Sequence, residues 1–467
     1  MRKLTYILSS MILVLTGCSD LEVENKAALP RDIVLGDIDG YSSFLTAAYE
    51  SVNDFDYYGQ QMMIGPEILA DNMELIQLTG RYELEYVNAV NSGIEFWANR
   101  YSAINEVNVI IGTINDEGVE GSQEEKDRLR GEALFLRALF YHDLARAYGY
   151  EPGQEVGGFD RSVVLKTEPT FGLSDVEDVP RASNVEVYQQ IEEDLLEAIT
   201  LLDPVTPGSA EAVIFANETA ARLLLARVYL YWGRDSDAFA QADQIITGDG
   251  SDLVQAADYD AAWDDAANPI HPESVFESEL RVPDWSGVDG PNASLHSLLM
   301  NDGGGSQFII SPSQELVDEI AVNPADVRNN LFNTETLGLE FTKWRATGSA
   351  IPFQENIPIL RLSEAYLIAA EAQGPGAGDS YLNALRAARG VTSTASATLA
   401  NVLRERRIEF MAEGHRWFDL KRNGLDIPKP AVSGASTLPY TDFKILPRLP
   451  QRELEISTQL EQNPGYN

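Results

Sequence analysis

The segment V-P-D-W-S-G-V-D-G-P-N-A-S sets Trp285 among Pro283, Asp284, Gly287, Asp289 and Asn292, with no periodic apolar partner. An indole in so polar a loop offers a rigid apolar face for stacking on a sugar ring. Asp284 and Asn292 are candidates for hydrogen bonds to the sugar hydroxyls. The same indole folding back onto the core is the competing reading, and the sequence leaves both open. Patterns for catalysis are missing. His142, His271, His296 and His415 stand singly, without the H-E-x-x-H spacing of a zinc enzyme, and no G-x-S-x-G elbow occurs. Gly303-Gly304-Gly305-Ser306 lacks the lysine of a phosphate loop, and Asp249-Gly250-Ser251-Asp252 departs from a calcium loop. With 73 acidic residues, carboxylate pairs arise by chance and say nothing about glycoside hydrolysis. The chemistry on offer is binding, with no catalytic residue, metal or cofactor expected.

The N-terminus reads as an address. Arg2 and Lys3 precede an apolar run, Leu4 to Leu15, that is shorter than the roughly 20 residues a bilayer span needs. Leu15-Thr16-Gly17-Cys18 then forms a lipobox, which predicts residues 1–17 as a lipoprotein signal peptide and Cys18 as the acylated first residue, with residues 18–39 a tether. Cys18 is the only cysteine, so the mature chain has no disulfide, thiolate nucleophile or cysteine metal site. Losing Arg2 and Lys3 takes the formal charge from −39 to −41. Such a chain repels phosphate backbones, which excludes nucleic-acid binding. It also disfavours uronate-rich or sulfated polysaccharides unless a local basic pocket overrides the field. Neutral ligands are favoured.

The elements that must carry these groups are mostly helical. Apolar residues at 44% and aromatics at 9% supply a real core. Helical periodicity marks Tyr41–Ser51 and Phe96–Ile114, and capping boxes Ser122-x-x-Glu125 and Ser183-x-x-Glu186 open two further helices. Glu218–Gly233 with Ser236–Thr247, and 363–373 with 380–389, read as helix pairs. Small Ala221, Ala226 and Ala242 against Leu224, Tyr229 and Phe239 resemble tetratricopeptide units, though no strict repeat of about 34 residues is visible. Ile68 to about Asn91 reads as one long loop. From about 253 to 359 periodicity fades, while Gly, Asp, Asn and Pro rise and short apolar runs appear at Ser274–Leu280 and Gly338–Trp344. The expected fold is mainly α. Degenerate tetratricopeptide-like helix pairs over about 40–252 and 360–430 form a scaffold around a loop-rich insertion with a few short strands, all within one domain, 40–467.

The stretch Val402–Gly424 mixes Arg404, Arg406, Arg407, Arg416 and Arg422 with Glu405, Glu409, Glu413 and Asp419, mostly three or four residues from an opposite charge. That spacing suits a solvated, self-paired helix face. The order R-R-I-E then E-G-x-R-W-F-D-L-x-R resembles the C-terminal signature of the SusD/RagB family of Bacteroidetes surface lipoproteins. Trp97-x3-Tyr101-x2-Ile104-Asn105, Arg130-Gly131-Glu132-Ala133-Leu134-Phe135-Leu136-Arg137-Ala138 and the closing Gln462-Asn463-Pro464-Gly465-Tyr466 match the same family in order. One departure stands out: Arg448-Leu449 adds a residue between Pro447 and Pro450, expected to alter only a turn.

The resemblance implies that Val402–Gly424 packs helices and that Trp97 and Trp263 are core. It also implies that loops such as Asp71, Asn72, Arg81 and Tyr82 contribute to a ligand face, and that the insertion sets ligand choice. Ser19-Asp20-Leu21-Glu22-Val23-Glu24 is similar to the tag that exports such lipoproteins to the outer leaflet. The implied protein is a nutrient receptor on the extracellular face of the outer membrane that captures oligosaccharides for a SusC-like TonB-dependent transporter. The alternatives are a peptide-binding RagB-type receptor, a surface glycosidase or a plain tetratricopeptide scaffold.

Overall fold

Side-chain oxygens fix where the helices begin. Asp37, Ser122, Ser183, Asn217 and Ser313 each accept the main-chain N–H three residues on, satisfying a donor that the helix cannot. Glu125 and Glu186 reach back to complete both expected capping boxes. A computed structural model describes residues 35–210, 212–248, 250, 252–280, 294–301, 306–335, 338–345 and 355–466. Its helices include Ile38–Glu50 (α1), Gln61–Leu69 (α2), Glu83–Tyr86 (α3), Trp97–Thr113 (α4), Gln123–Tyr148 (α5), Asn184–Leu201 (α6) and Glu218–Tyr231 (α7). Beyond them lie Asp235–Ile246 (α8), Gln314–Ala321 (α9), Leu362–Gln373 (α10), Asp379–Ala388 (α11), Leu399–Glu409 (α12) and Arg416–Lys421 (α13).

Successive helices stack in pairs: α4 on α5, α5 on α6, α6 on α7, α7 on α8, then α8 on α10 and α10 on α11. This is the mainly α, tetratricopeptide-like architecture expected. Gly131 explains one close approach, because a Cβ there would lie 2.8 Å from Leu202 Cγ. Arg137 on α5 clamps Asp194 on α6 through two bonds of 2.7 and 2.8 Å, while reaching Asn108 on α4 at 2.9 Å. The R-G-E-A-L-F-L-R-A motif is thus a three-helix fastener.

The strands are short and pair antiparallel: Met73–Leu75 (β1) with Ile310–Pro312 (β3), Ser274–Ser278 (β2) with Ile357–Arg361 (β6), and Phe332–Thr334 (β4) with Leu339–Phe341 (β5). The β2–β6 pair closes the base of the insertion, and β1–β3 lays part of it against the helical scaffold. The expected long loop from 68 to 91 is mostly irregular after α2 ends at Leu69, but it holds two short pieces of regular structure, β1 and α3. Three strand residues and a four-residue helix are too brief to impose a period on the sequence.

The charge-rich stretch also differs from a solvated, self-paired face. Glu409 accepts from Arg328 at 3.1 Å, Arg361 at 3.1 Å and Arg389 at 2.8 Å. Glu405 meets Arg328 and Arg386, Glu413 meets Arg361 and Lys343, and Glu273 joins through Arg361 and Arg389. All of these side chains are buried. Burial alone would raise the Glu409 carboxyl, but Arg389, Arg361 and Arg328 hold it well below the usual range. Glu405, Glu409 and Glu413 recur every four residues and face inward. Arg404 and Arg407, off that row, turn to Glu319 on α9 and to Asp71. At the corner beyond α12, Gly414 takes φ +77°, and a Cβ there would fall 1.7 Å from the Met62 carbonyl oxygen of α2. Only glycine fits.

Removing one member of this cluster leaves buried charges unpaired. Glu409→Gln should cost about 3–5 kcal/mol in chemical denaturation. Arg404→Ala, at the solvated edge, should cost less than about 1 kcal/mol. Equal losses would contradict the burial argument.

Candidate functional site

Gln60, fully buried just ahead of α2, organises the face on which Arg81 and Tyr82 lie. Its side-chain oxygen accepts from Arg81 Nη2 at 2.8 Å and from the Tyr82 hydroxyl at 2.9 Å. Arg81 Nη1 donates to Gln307 Oε1 at 2.5 Å, and Gln77 Nε2 to the Phe308 carbonyl at 2.9 Å, so both walls of the face are cross-linked. The Arg81 guanidinium lies 5.9 Å from the exposed Phe55 ring. Leu78, Leu84, Val87 and Val90 are exposed around it. Fixed polar groups within an apolar surround suit a sugar, which has apolar faces and polar edges.

The backbone here is also strained. Among the described residues, five other than glycine have positive φ: Tyr82 at 58°, Asn88 at 47°, Asn91 at 70°, Phe308 at 37° and Ala412 at 62°. Two of the five, Tyr82 and Phe308, belong to the bonded network of this face. Such conformations cost free energy and persist where surrounding structure over-determines them, commonly at binding sites.

Asp71 and Asn72 sit behind the face. Asp71 accepts from Arg416 at 2.7 Å and pairs with Arg407 at 3.1 Å; burial would raise its carboxyl, but the two guanidiniums hold it below the ordinary value. Asn72 Oδ1 accepts from Arg407 Nε at 2.8 Å, and its amide donates to Glu67 at 2.5 Å. Glu67 in turn accepts the His415 and Arg416 main-chain N–H groups at the start of α13, and burial pushes its carboxyl up to about 7. The Asp-Asn pair fastens α2 to α12 and α13. Its polar atoms are engaged internally, unlike those of an open ligand loop.

Lys429 ties the same region together by donating to the carbonyls of Ile68 at 2.6 Å, Leu69 at 3.0 Å and Glu85 at 2.9 Å. Sequence reasoning did not find Gln60, Phe55, Gln307 or Lys429. Their partners lie far away in the chain, and no local pattern marks them.

Trp285, Asp284, Asn292 and Cys18 lie outside the described residues. The chain leaves at Leu280, whose N–H donates to Asn356 at 3.0 Å, and is described again at Ser294, which caps the short helix Leu295–Leu299. Trp97, Trp263, Trp344 and Trp417 are buried and Trp232 half-buried, so none of these presents an open indole. All four histidines are buried, and burial holds His142, His271 and His415 well below the usual pKa. Among the described residues no group of three or more His, Cys, Asp or Glu is placed to hold a metal. Nor is any described helix long and apolar enough to cross a membrane. A groove of about 590 Å³ adjoins the face between residues 91–99 and 447–452, with Asp56, Trp97, Asn99 and Arg448 in its lining.

Comparison with known proteins gives two family matches. A family described as "Starch-binding associating with outer membrane" matches residues 42–230, and the SusD family matches 322–466. SusD-like protein P2 of Formosa agariphila is 23% identical over 99% of both chains. The crystal structure of a SusD superfamily protein from Bacteroides vulgatus is 29% identical, with a TM-score of 0.80 over 92% of this chain and 99% of that one. A laminarin binding SusD-like protein shares the fold at a TM-score of 0.72 and 23% identity, over 92% of this chain and 99% of that one.

The Lys429 clip generates a pH test. Burial lowers its amine to about 7, more than Asp71 and Glu85 raise it. Between pH 7 and the ordinary lysine value near 10.4, the unfolded chain keeps a proton that the folded chain releases, so this site's contribution to stability rises with pH. The stability of wild type relative to Lys429→Met, measured in urea, should therefore grow from pH 7 towards 10. Parallel curves would contradict the assignment.

Proposed function

The chain belongs to the SusD/RagB family, and from that membership we propose that it is a cell-surface glycan-binding lipoprotein handing oligosaccharides to a SusC-like TonB-dependent transporter. The observation that carries the reading is the strained, cross-braced face around Gln60, Arg81 and Tyr82, in a fold shared with a laminarin binder. Arg81 and the side-chain amides supply directional bonds to hydroxyls, and Phe55 supplies an apolar contact. Trp285 is the sole tryptophan outside the described residues, and it supplies the stacking platform in this reading. The charge of −39 repels anions at long range, so neutral sugar residues are favoured on this face. Acylated Cys18 tethers the receptor to the outer leaflet, where more than one lipid chain gives stable anchoring. Ligand capture is followed by closure over the transporter, and no bond in the sugar is broken.

The test is calorimetric titration of the soluble chain starting at Ser19 with neutral glucans, fructans, mannans, anionic glycans and peptides. A neutral oligosaccharide should bind and be recovered intact. Trp285→Ala should weaken it about tenfold or more, the equivalent of about 1.4 kcal/mol. Binding that survives this change but fails in Arg81→Ala would keep the function and move the platform to the Arg81–Tyr82 face. A response to peptides alone, or cleavage of the sugar, would overturn the proposal.

A further inference from the structure

Arginine in this chain is almost always paired. Most of the described arginines meet an aspartate or glutamate, whereas Arg181, Arg448 and Arg452 do not. Arg81 is held by Gln60 and Gln307, and Arg181 by main-chain carbonyls. Arg448 reaches only Gln451, and Arg452 has no bonded partner among the described residues. Both are exposed, and both line one wall of the 590 Å³ groove.

The wall that carries them is rigid. Pro447 and Pro450 restrict the backbone on either side of Arg448-Leu449. Leu449 is buried, donating its N–H to Gln462 Oε1 at 2.8 Å and accepting from Gln462 Nε2 at 3.2 Å. Asn463 Nδ2 holds the Pro447 carbonyl at 2.6 Å. Gly93 presses on the same proline, and a Cβ there would lie 2.7 Å from Pro447 Cβ. The added residue between the prolines, expected to change only a turn, thus fixes Arg448 outward at the groove's rim.

The opposite wall is acidic. Asn99 donates to Asp56 Oδ2 at 2.6 Å, while Asp56 Oδ1 is buried in the groove wall without a partner. Exposed Glu95 lies on the same side. We infer that this groove binds a saccharide carrying a single acidic group, a uronate carboxylate or a sulfate ester, with the acid on Arg448 and Arg452 and a hydroxyl donating to the exposed carboxylate of Glu95. Asp56 and Glu95 repel a polyanion, which limits the ligand to isolated acid groups on an otherwise neutral chain. The inference rests on the glycan-receptor reading and adds a charged site to it.

The test titrates the soluble chain, at low and at physiological salt, with a panel of neutral oligosaccharides and their counterparts bearing one uronate or one sulfate ester. An acid-bearing form should bind about tenfold tighter than its neutral counterpart, and the advantage should shrink with salt. The double variant Arg448→Gln, Arg452→Gln should abolish that advantage, with the thermal midpoint unchanged; Arg448→Lys, Arg452→Lys should restore part of it. A uronate-only or sulfate-only advantage identifies the source of the acid. Neutral sugars binding without any acid advantage, or an advantage that survives the double variant, would overturn the groove and leave the receptor standing. Failure of every sugar to bind would overturn both, and an acidic peptide losing affinity in the double variant while no sugar does would overturn the saccharide assignment.

Discussion

The buried carboxylate of Glu409 is the constraint to which the rest of this fold answers. A charge removed from water carries several kcal/mol of desolvation unless it is fully paired and hydrogen-bonded. Arg328, Arg361 and Arg389 all have to arrive before α12 can sit where it does. Those three come from the insertion, from the end of β6 and from the end of α11. One helix therefore dictates how the insertion, the strand pair at its base and the last helix pair meet. This ionic cluster requires specific partners.

From that centre, rigidity extends outward to the candidate face around Arg81. The corner at Gly414 presses the start of α13 onto α2, where Glu67 caps it. Asp71, Asn72 and Lys429 fasten the end of α2 to α12 and α3. What remains at the surface is the partly exposed Arg81 and Gln307, backed by buried Gln60 and Tyr82, on a backbone whose unfavourable φ values are held in place from behind. A sugar meeting such a surface loses little further freedom in the protein, which favours affinity from few contacts.

Much of the scaffold was legible in the sequence because its causes are local. Ser122-Glu125 and Ser183-Glu186 start their helices wherever they occur, and Gly131 among larger residues announced a close helix contact. Trp97 and Trp263 are buried as the family resemblance implied. In the charge stretch helical spacing alone suggested a solvated face, because spacing reports which residues share a face and says nothing of whether that face meets water; the family resemblance is what pointed to its role in packing helices. Glu409 finds Arg361 across 48 positions and Glu67 finds His415 across 348, so no window along the chain contains the pair. The same holds for the candidate face. Arg81 and Tyr82 could be singled out through the family resemblance, but Gln60, Phe55 and Gln307 carry no mark of their own. Asp71 and Asn72 were read as open loop groups because a three-residue strand beside them leaves no period.

Synthesis runs from the N-terminus, so Arg328, Arg361 and Arg389 leave the ribosome before the carboxylate of Glu409 that gathers them. Until α12 is complete these guanidiniums lack their central counter-charge. A segment made late therefore locks parts made earlier, and a chain stopped short of Glu409 loses the joint between the insertion and the last helix pair.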